Sequence, residues 1–144
     1  MSRIEGNCLC GAVTISMVPA ARELHACHCS MCRRWTGSAF LEIDAAPGTL
    51  EHHGPIRLFR SSDWAERASC EACGTPLWYA LTDPARPFHA VSAGLFAGAA
   101  DFPLTKEIYI DRKPAGFAYA GDHPRLTEAE FLASIGITNE GDDQ

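Results

Sequence analysis

The seven cysteines are the residues of this 144-residue chain best suited to chemistry, and they fall into three clusters. Two are pairs, Cys8-x-Cys10 and Cys70-x-x-Cys73, and the middle cluster is the trio Cys27-x-Cys29-x-x-Cys32. Four thiolates close a tetrahedral zinc shell, whereas three leave one position open to water or a substrate. We therefore predict a closed, structural zinc site from the two outer pairs and an open, catalytic zinc site from the trio.

Disulfide bonding explains these cysteines less well than metal binding does. An odd number of cysteines cannot pair completely, and the tight spacings suit one metal ion better than two disulfides. The segment Met1–Gly6 contains no apolar stretch typical of a secretion signal, so we expect reduced thiols and a cytoplasmic location. Zinc is favoured over an iron–sulfur cluster because two of the clusters contribute only two cysteines each.

Two arginines follow the middle cluster directly. If a helical turn begins near Cys29 and runs to Trp35, the three thiolates gather at its N-terminus. Arg33 and Arg34 would then offset the negative charge and bind the carboxylates of an acidic thiol substrate. The alternative is that both arginines are solvated on the outer face of the helix.

The second metal site has a closed alternative, in which a histidine completes a Cys₃His shell. His28 lies between two ligands, so its side chain should point away from them in an extended segment, whereas His25 is sterically easier. More distant histidines also remain open as the fourth ligand: His52, His53, His89 and His123.

Composition limits the class of protein. The chain is 47% hydrophobic and 21% charged, as in an ordinary soluble domain, and no apolar run is long enough to cross a bilayer. A net charge of −6 argues against binding of nucleic acid. We expect one domain over residues 1–138 and an acidic, flexible tail over 139–144. The oligomeric state stays open.

The segments between the cysteines predict a mainly β fold. Val13, Ile15 and Met17 alternate on one strand face, and Gly54-Pro55 would join two paired strands. One helical turn should end at Gly37, and a second helix should begin at Thr127, where Thr127-x-x-Glu130 forms a capping box. The predicted strands are Ala12–Met17, Ser38–Ile43, Leu50–His53, Ile56–Arg60, Ala65–Cys70, Pro76–Ala80, Phe88–Ala93 and Lys106–Ile110.

Three motifs together resemble the glutathione-dependent formaldehyde-activating enzyme family, which also includes centromere protein V. They are Gly6-Asn7-Cys8-Leu9-Cys10-Gly11-Ala12-Val13, the run from Cys27-His28-Cys29 to Gly37-Ser38, and Cys70-Glu71-Ala72-Cys73-Gly74-Thr75-Pro76. The resemblance implies an all-β, tent-like, antiparallel zinc fold, shared with a small zinc-binding accessory factor of Rab GTPases. It also implies two zinc ions, a structural one on Cys8, Cys10, Cys70 and Cys73 and a catalytic one on Cys27, Cys29 and Cys32.

The activity implied by this resemblance is that of a carbon–sulfur lyase. The substrate would be a small thiol, by default glutathione, which condenses with formaldehyde to S-(hydroxymethyl)glutathione. The alternative hypothesis is a non-catalytic module in which both zinc ions are structural and a β surface binds a protein partner.

Overall fold

The structure is a computed structural model, and it describes residues 1–137. The predicted acidic tail over 139–144 and residue 138 lie outside the described residues. In chain order, the described elements are β1 Ile4–Asn7, β2 Thr14–Met17, β3 Leu24–Cys27, α1 Ser30–Thr36, β4 Phe40–Asp44, β5 Glu51–His53, β6 Ile56–Arg60, β7 Ala65–Cys70, β8 Pro76–Leu81, β9 His89–Ser92, β10 Leu104–Ile108, β11 Arg125–Leu126 and α2 Glu128–Ser134. The predicted mainly β class is confirmed.

Contacts divide the chain into two compact units, each assembled from two chain segments. The first unit comprises Met1–Arg22 and Glu42–Phe102, and the second comprises Glu23–Leu41 and Pro103–Gln144. Strand β4 passes from the second unit into the first. The assignment of residues 1–138 to one domain stays a prediction.

The first unit contains two antiparallel sheets. One has the order β1-β2-β5, and the other runs from the end of β4 through β9, β8 and β7 to β6. Val13, Ile15 and Met17 are at most 2% exposed, which confirms the predicted apolar face of β2. The alternation of apolar side chains with the polar Thr14 and Ser16 therefore directs one face of this strand into the core.

The strands β5 and β6 do not form the hairpin that the sequence predicts. Strand β5 pairs with β2, and β6 pairs with β7, so the turn between them separates two sheets. Gly54 in this turn has a φ of +111°, and a Cβ there would lie 2.1 Å from the carbonyl oxygen of Ala12. The glycine is thus required by a close approach to the backbone of Ala12 and Val13, which precede β2, and not by a tight hairpin.

The second unit contains parallel pairing, which differs from the antiparallel fold expected. Strand β10 lies parallel to β3 on one side, with Ile108 opposite Cys27, and parallel to β11 on the other. Parallel strands need long connections, and the 76 residues between Cys27 and Leu104 supply one for β10 and β3. This pairing brings the end of β3, and so the first cysteine of the middle cluster, beside the end of β10.

Both predicted helices are present. Helix α1 has Cys29 as its N-cap and ends at Gly37, which has a φ of +87°. Helix α2 begins after Thr127, and the capping box between Thr127 and Glu130 is formed in both directions. No helix within residues 1–137 has the length and apolar character required to span a bilayer.

A histidine in the first unit should make stability depend on pH. His89 of β9 is half-buried beside the ring of Trp78, and burial, together with the nearby His52, lowers the pKa of His89 below its usual 6.5 despite the charge of Glu66. The unfolded chain therefore binds a proton near pH 6.5 that the folded chain does not. The free energy of unfolding should fall as pH drops from 7.5 through 6.5 towards this depressed value.

Replacement of His89 by glutamine should reduce that pH dependence. Urea unfolding at pH 7.5 and 5.5 measures it, with His53→Gln as a control at an exposed histidine. Since acid would weaken any metal binding by the cysteines equally in all three proteins, the comparison between variants isolates His89. Equal losses of stability in wild type and His89→Gln would contradict the assignment.

Candidate functional site

The two outer cysteine pairs converge in the first unit. The sulfur atoms of all four residues lie within 4.8 Å of one another: Cys8, Cys10, Cys70 and Cys73. The Cys8 and Cys10 sulfurs are 3.7 Å apart, and the Cys10 and Cys70 sulfurs are 3.9 Å apart. Tetrahedral zinc with Zn–S bonds of about 2.3 Å requires S–S distances of about 3.8 Å. The donor set and its spacing thus fit a zinc ion.

Tight backbone turns direct N–H groups at these sulfurs. Gly11 and Gly74 adopt φ values of +83° and +80°, as expected for the residue after each pair. The N–H of Val13 donates to the Cys8 sulfur at 3.3 Å, and the N–H of Cys73 donates to the Cys70 sulfur at 3.4 Å. Such donors favour the thiolate form that a metal requires.

The thiols of this cluster differ in pKa. Hydrogen bonds from the Thr75 side chain and backbone lower the pKa of Cys73 to about 5. A backbone hydrogen bond from Ala12 lowers the pKa of Cys10, but the other three cysteines and burial outweigh it and raise the pKa to about 11. Sulfurs gathered in one group titrate together, so a metal ion that binds here must displace protons from the cluster.

The three cysteines of the middle cluster converge in the second unit. Their sulfur atoms also lie within 4.8 Å of one another. Cys27 ends β3, Cys29 caps α1, and the N–H of Cys32 donates to the Cys29 sulfur at 3.3 Å. Hydrogen bonding with Cys29 and Cys32, together with burial, raises the pKa of Cys27 well above its usual value. A metal ion binding here must therefore displace a proton.

Histidines of the second unit lie outside this group. His28 is fully buried, and its Nε2 lies 2.7 Å from Oε1 of Glu107, so its side chain points away from the ligands as predicted. The Nε2 of His25 lies 3.6 Å from Glu23 Oε1, and that of His123 lies 2.6 Å from Glu107 Oε2. Within the described residues of this unit, no histidine nitrogen joins the three sulfurs. The other three, His52, His53 and His89, belong to the first unit.

Glu107 is an acceptor that the sequence analysis did not single out. Burial alone would raise its pKa, but hydrogen bonds from His123 and His28 and the charge of Arg125 lower the pKa below its usual value. The carboxylate is therefore ionised in the folded protein. Its position inside a predicted strand gave no signal, because its partners are far away in the sequence.

Both arginines line a cavity of about 260 Å³ beside α1. Arg34 is exposed, and Arg33 is half-buried, with its Nε donating to the carbonyl oxygen of His28 at 3.1 Å. The cysteines are not among the lining residues, although Cys27 keeps partial exposure. The apolar wall, formed by Pro114 and Phe117, carries no signal in the sequence because it comes from a segment without regular structure. The cavity is lined by Ser30, Arg33, Arg34, Gly37, Ser38, Pro114 and Phe117.

The three tryptophans differ in burial and packing. Trp78 is buried, Trp35 packs against Phe40 with ring centroids 5.1 Å apart, and Trp64 is 38% exposed on the turn between β6 and β7. None of the three tryptophans lines the cavity beside α1. Asp63, in the same turn, accepts a hydrogen bond from Arg60 through its carbonyl oxygen, as in a hairpin edge.

Comparison with known proteins decides the family. Residues 3–112 match the family described as glutathione-dependent formaldehyde-activating enzyme. The chain belongs to this family. The match spans all three cysteine clusters, which confirms the resemblance drawn from the three motifs and the prediction of an enzyme family.

Two relatives align with this family member along nearly their whole length. An uncharacterized lyase of Schizosaccharomyces pombe is 33% identical over 137 residues, covering 94% of this chain and 98% of the relative. A putative glutathione-dependent formaldehyde-activating enzyme of Halomonas elongata is 27% identical over 155 residues, covering 93% and 97%. A crystal structure of a Rhodobacter sphaeroides protein aligns with a TM-score of 0.56 at 22% identity, covering 71% of this chain and 100% of that chain, which shows the fold alone.

Proposed function

We propose that this protein is a zinc-dependent carbon–sulfur lyase that interconverts a small thiol and its hydroxymethyl adduct. Cys8, Cys10, Cys70 and Cys73 would hold a structural zinc. The trio Cys27, Cys29 and Cys32 would hold a catalytic one. By analogy with the names of its relatives, the substrates are glutathione and formaldehyde, and the product is S-(hydroxymethyl)glutathione.

The observation that carries this proposal is that α1 and its N-cap bring together cysteines of the cluster and two arginines that line a cavity. Two of the three clustered cysteines, Cys29 and Cys32, share this short segment with Arg33 and Arg34. The arginines line a cavity, and three thiols provide one ligand fewer than a closed zinc shell needs. The same few residues thus offer anion binding and a metal position that a fourth sulfur can fill.

The reaction needs one bond change at sulfur and one proton transfer. In the synthetic direction the thiol sulfur bonds to the aldehyde carbon, and the thiol proton ends on the aldehyde oxygen. In the lyase direction the carbon–sulfur bond breaks and the hydroxyl proton returns to sulfur. Zinc bound to the three cysteines would supply a Lewis acid that favours the thiolate form of the substrate.

The residues around the cavity would bind and orient the thiol. Guanidinium groups form two-point hydrogen bonds with carboxylates, and glutathione carries two carboxylates. Arg34 is free to turn towards such a ligand because it is exposed, whereas Arg33 is fixed at its Nε by the His28 carbonyl. Phe117 and Pro114 would contact the apolar part of the thiol.

Substitution of Arg34 by glutamine should weaken substrate binding without unfolding the protein. Loss of an exposed charge-assisted hydrogen bond should raise KM for glutathione about 10-fold and change kcat little. Exchange of ¹³C-labelled formaldehyde with the adduct, followed by NMR and corrected for the uncatalysed rate, gives both constants. Arg57→Gln, at an exposed arginine of β6 in the first unit, is the matched control.

Three outcomes separate the hypotheses. Acceleration by wild type with a raised KM in Arg34→Gln supports the lyase and its anion site. Acceleration with an unchanged KM would remove Arg34 from substrate binding. No acceleration by zinc-loaded wild type at any concentration would contradict the lyase and favour the non-catalytic module.

A further inference from the structure

Glu107 is the centre of a buried polar network in the second unit. Its side chain is fully buried and accepts hydrogen bonds from His28 Nε2 at 2.7 Å, His123 Nε2 at 2.6 Å and Arg125 Nε at 3.0 Å. A buried carboxylate is costly unless such donors satisfy it, so the network specifies one arrangement of its members.

The donor that matters most for the site is His28. It stands between Cys27 and Cys29, two of the three clustered cysteines, and it is itself fully buried. Its ring packs against two aromatic rings, with centroids 6.1 Å from Phe117 and 5.9 Å from Tyr119, and these two rings also contact each other at 5.7 Å. Because a carboxylate can only accept, Nε2 carries the proton in this contact.

The backbone of His28 is held at both of its polar groups as well. Its N–H donates to the carbonyl oxygen of Ile108 at 3.0 Å, and its carbonyl oxygen accepts from Arg33 Nε at 3.1 Å. The residue is therefore fixed through ring, N–H and carbonyl together. In an extended segment neighbouring side chains point to opposite sides, so fixing the His28 ring fixes the directions of the Cys27 and Cys29 side chains.

On its other side, the network binds the segment that bears the aromatic rings. The Nη2 atom of Arg125 donates to the carbonyl oxygens of Tyr119 at 3.0 Å and Gly121 at 2.9 Å. One carboxylate thus links β10, the ligand-bearing segment after β3 and the segment from Tyr119 to Arg125.

We propose that Glu107 is a positioning residue for the three-cysteine metal site, acting through His28. The inference rests on the proposed function only in taking Cys27, Cys29 and Cys32 as metal ligands. By holding His28, Glu107 keeps the three sulfurs converged before a metal arrives. Loss of the contact lets the segment relax, and the metal must then order it, which lowers affinity at this site alone.

The test uses cobalt(II) as a spectroscopic substitute for zinc. Wild type should bind two Co²⁺ per chain. A competing chelator should remove these ions in two phases, each followed by its thiolate-to-cobalt charge-transfer absorption. Cys29→Ser identifies the phase that belongs to the three-cysteine site. In Glu107→Gln that phase should weaken about 10-fold and its visible bands should shift, while the other phase stays unchanged.

Two further variants separate positioning from general stability. Glu128→Gln alters another buried carboxylate of the same unit, which pairs with Arg112, and should leave both phases unchanged. His28→Asn removes the ring contact but leaves Glu107 its bonds to His123 and Arg125. It should weaken the phase of the three-cysteine site in the same way, so it tests the proposal even when Glu107→Gln does not fold.

Each remaining outcome has a definite meaning. An unchanged phase in folded Glu107→Gln or His28→Asn would overturn the positioning role, as would equal weakening of both phases. Failure of Cys29→Ser to remove any phase would instead contradict the metal assignment in the proposed function.

Discussion

Replacement of Cys70 by serine is expected to prevent the protein from folding at all. A structural zinc contributes about 10–16 kcal/mol in small metal-binding domains, which is comparable to the whole stability of about 5–15 kcal/mol of a typical domain. Cys70 ends β7, and its sulfur lies 3.9 Å from that of Cys10, a residue 60 positions away. Loss of this ligand removes a link between the two chain segments of the first unit.

Circular dichroism and zinc content after purification measure this effect. We expect Cys70→Ser to lose its cooperative thermal transition and at least one zinc. Ser69→Ala, at the neighbouring position of β7, should keep the cooperative thermal transition and the zinc content of wild type. A Cys70→Ser protein that melts at the wild-type temperature would show that the outer pairs do not hold a structural ion.

Replacement of Cys29 by serine should have the opposite profile, with a retained fold and thiol binding weakened by at least about 10-fold. Cys29 caps α1 by accepting the N–H of Cys32, and serine is a preferred N-cap, so the helix should start at the same residue. With two thiolates left in the cluster, the second metal is weakly held and the substrate sulfur has no partner.

Calorimetric titration of the zinc-loaded proteins with reduced glutathione tests this expectation. Wild type should show saturable binding, and Cys29→Ser should show at least a 10-fold loss of affinity with a melting temperature close to wild type. Met31→Leu, in the same helix but outside the lining of the cavity, controls for a local change in α1. Undiminished glutathione binding by folded Cys29→Ser would contradict the open site, and severe unfolding would favour a second structural ion.

Local signals explain why parts of the fold could be predicted. The end of α1 follows from Gly37, because glycine can adopt a positive φ. The start of α2 follows from the capping box at Thr127. The cysteine spacings likewise predict which sulfurs converge. The helix ends and the middle cluster depend on residues within a few positions of one another, whereas joining the two outer pairs, which are 60 positions apart, rests on the four ligands that a closed zinc shell needs.

The rest depends on contacts between residues distant in sequence. His28 and Glu107 are 79 positions apart, and nothing near either residue indicates their contact. Strand β3 was not predicted because Leu24–Cys27 is short and carries a ligand, and its parallel pairing with β10 requires a long crossover. Phe117 was missed because it lies in an irregular segment whose position is fixed by Lys113, which donates to its carbonyl oxygen.

The unequal spacing of the two clusters has a consequence for biosynthesis. The trio occupies six residues, Cys27–Cys32, whereas the outer cluster joins Cys8 to Cys73. On a ribosome the trio emerges complete while the outer cluster still lacks half of its ligands, and closing a longer loop costs more entropy. If both clusters take zinc as proposed, the nascent chain can bind its catalytic ion first. The structural ion, on which folding depends more, would then bind second.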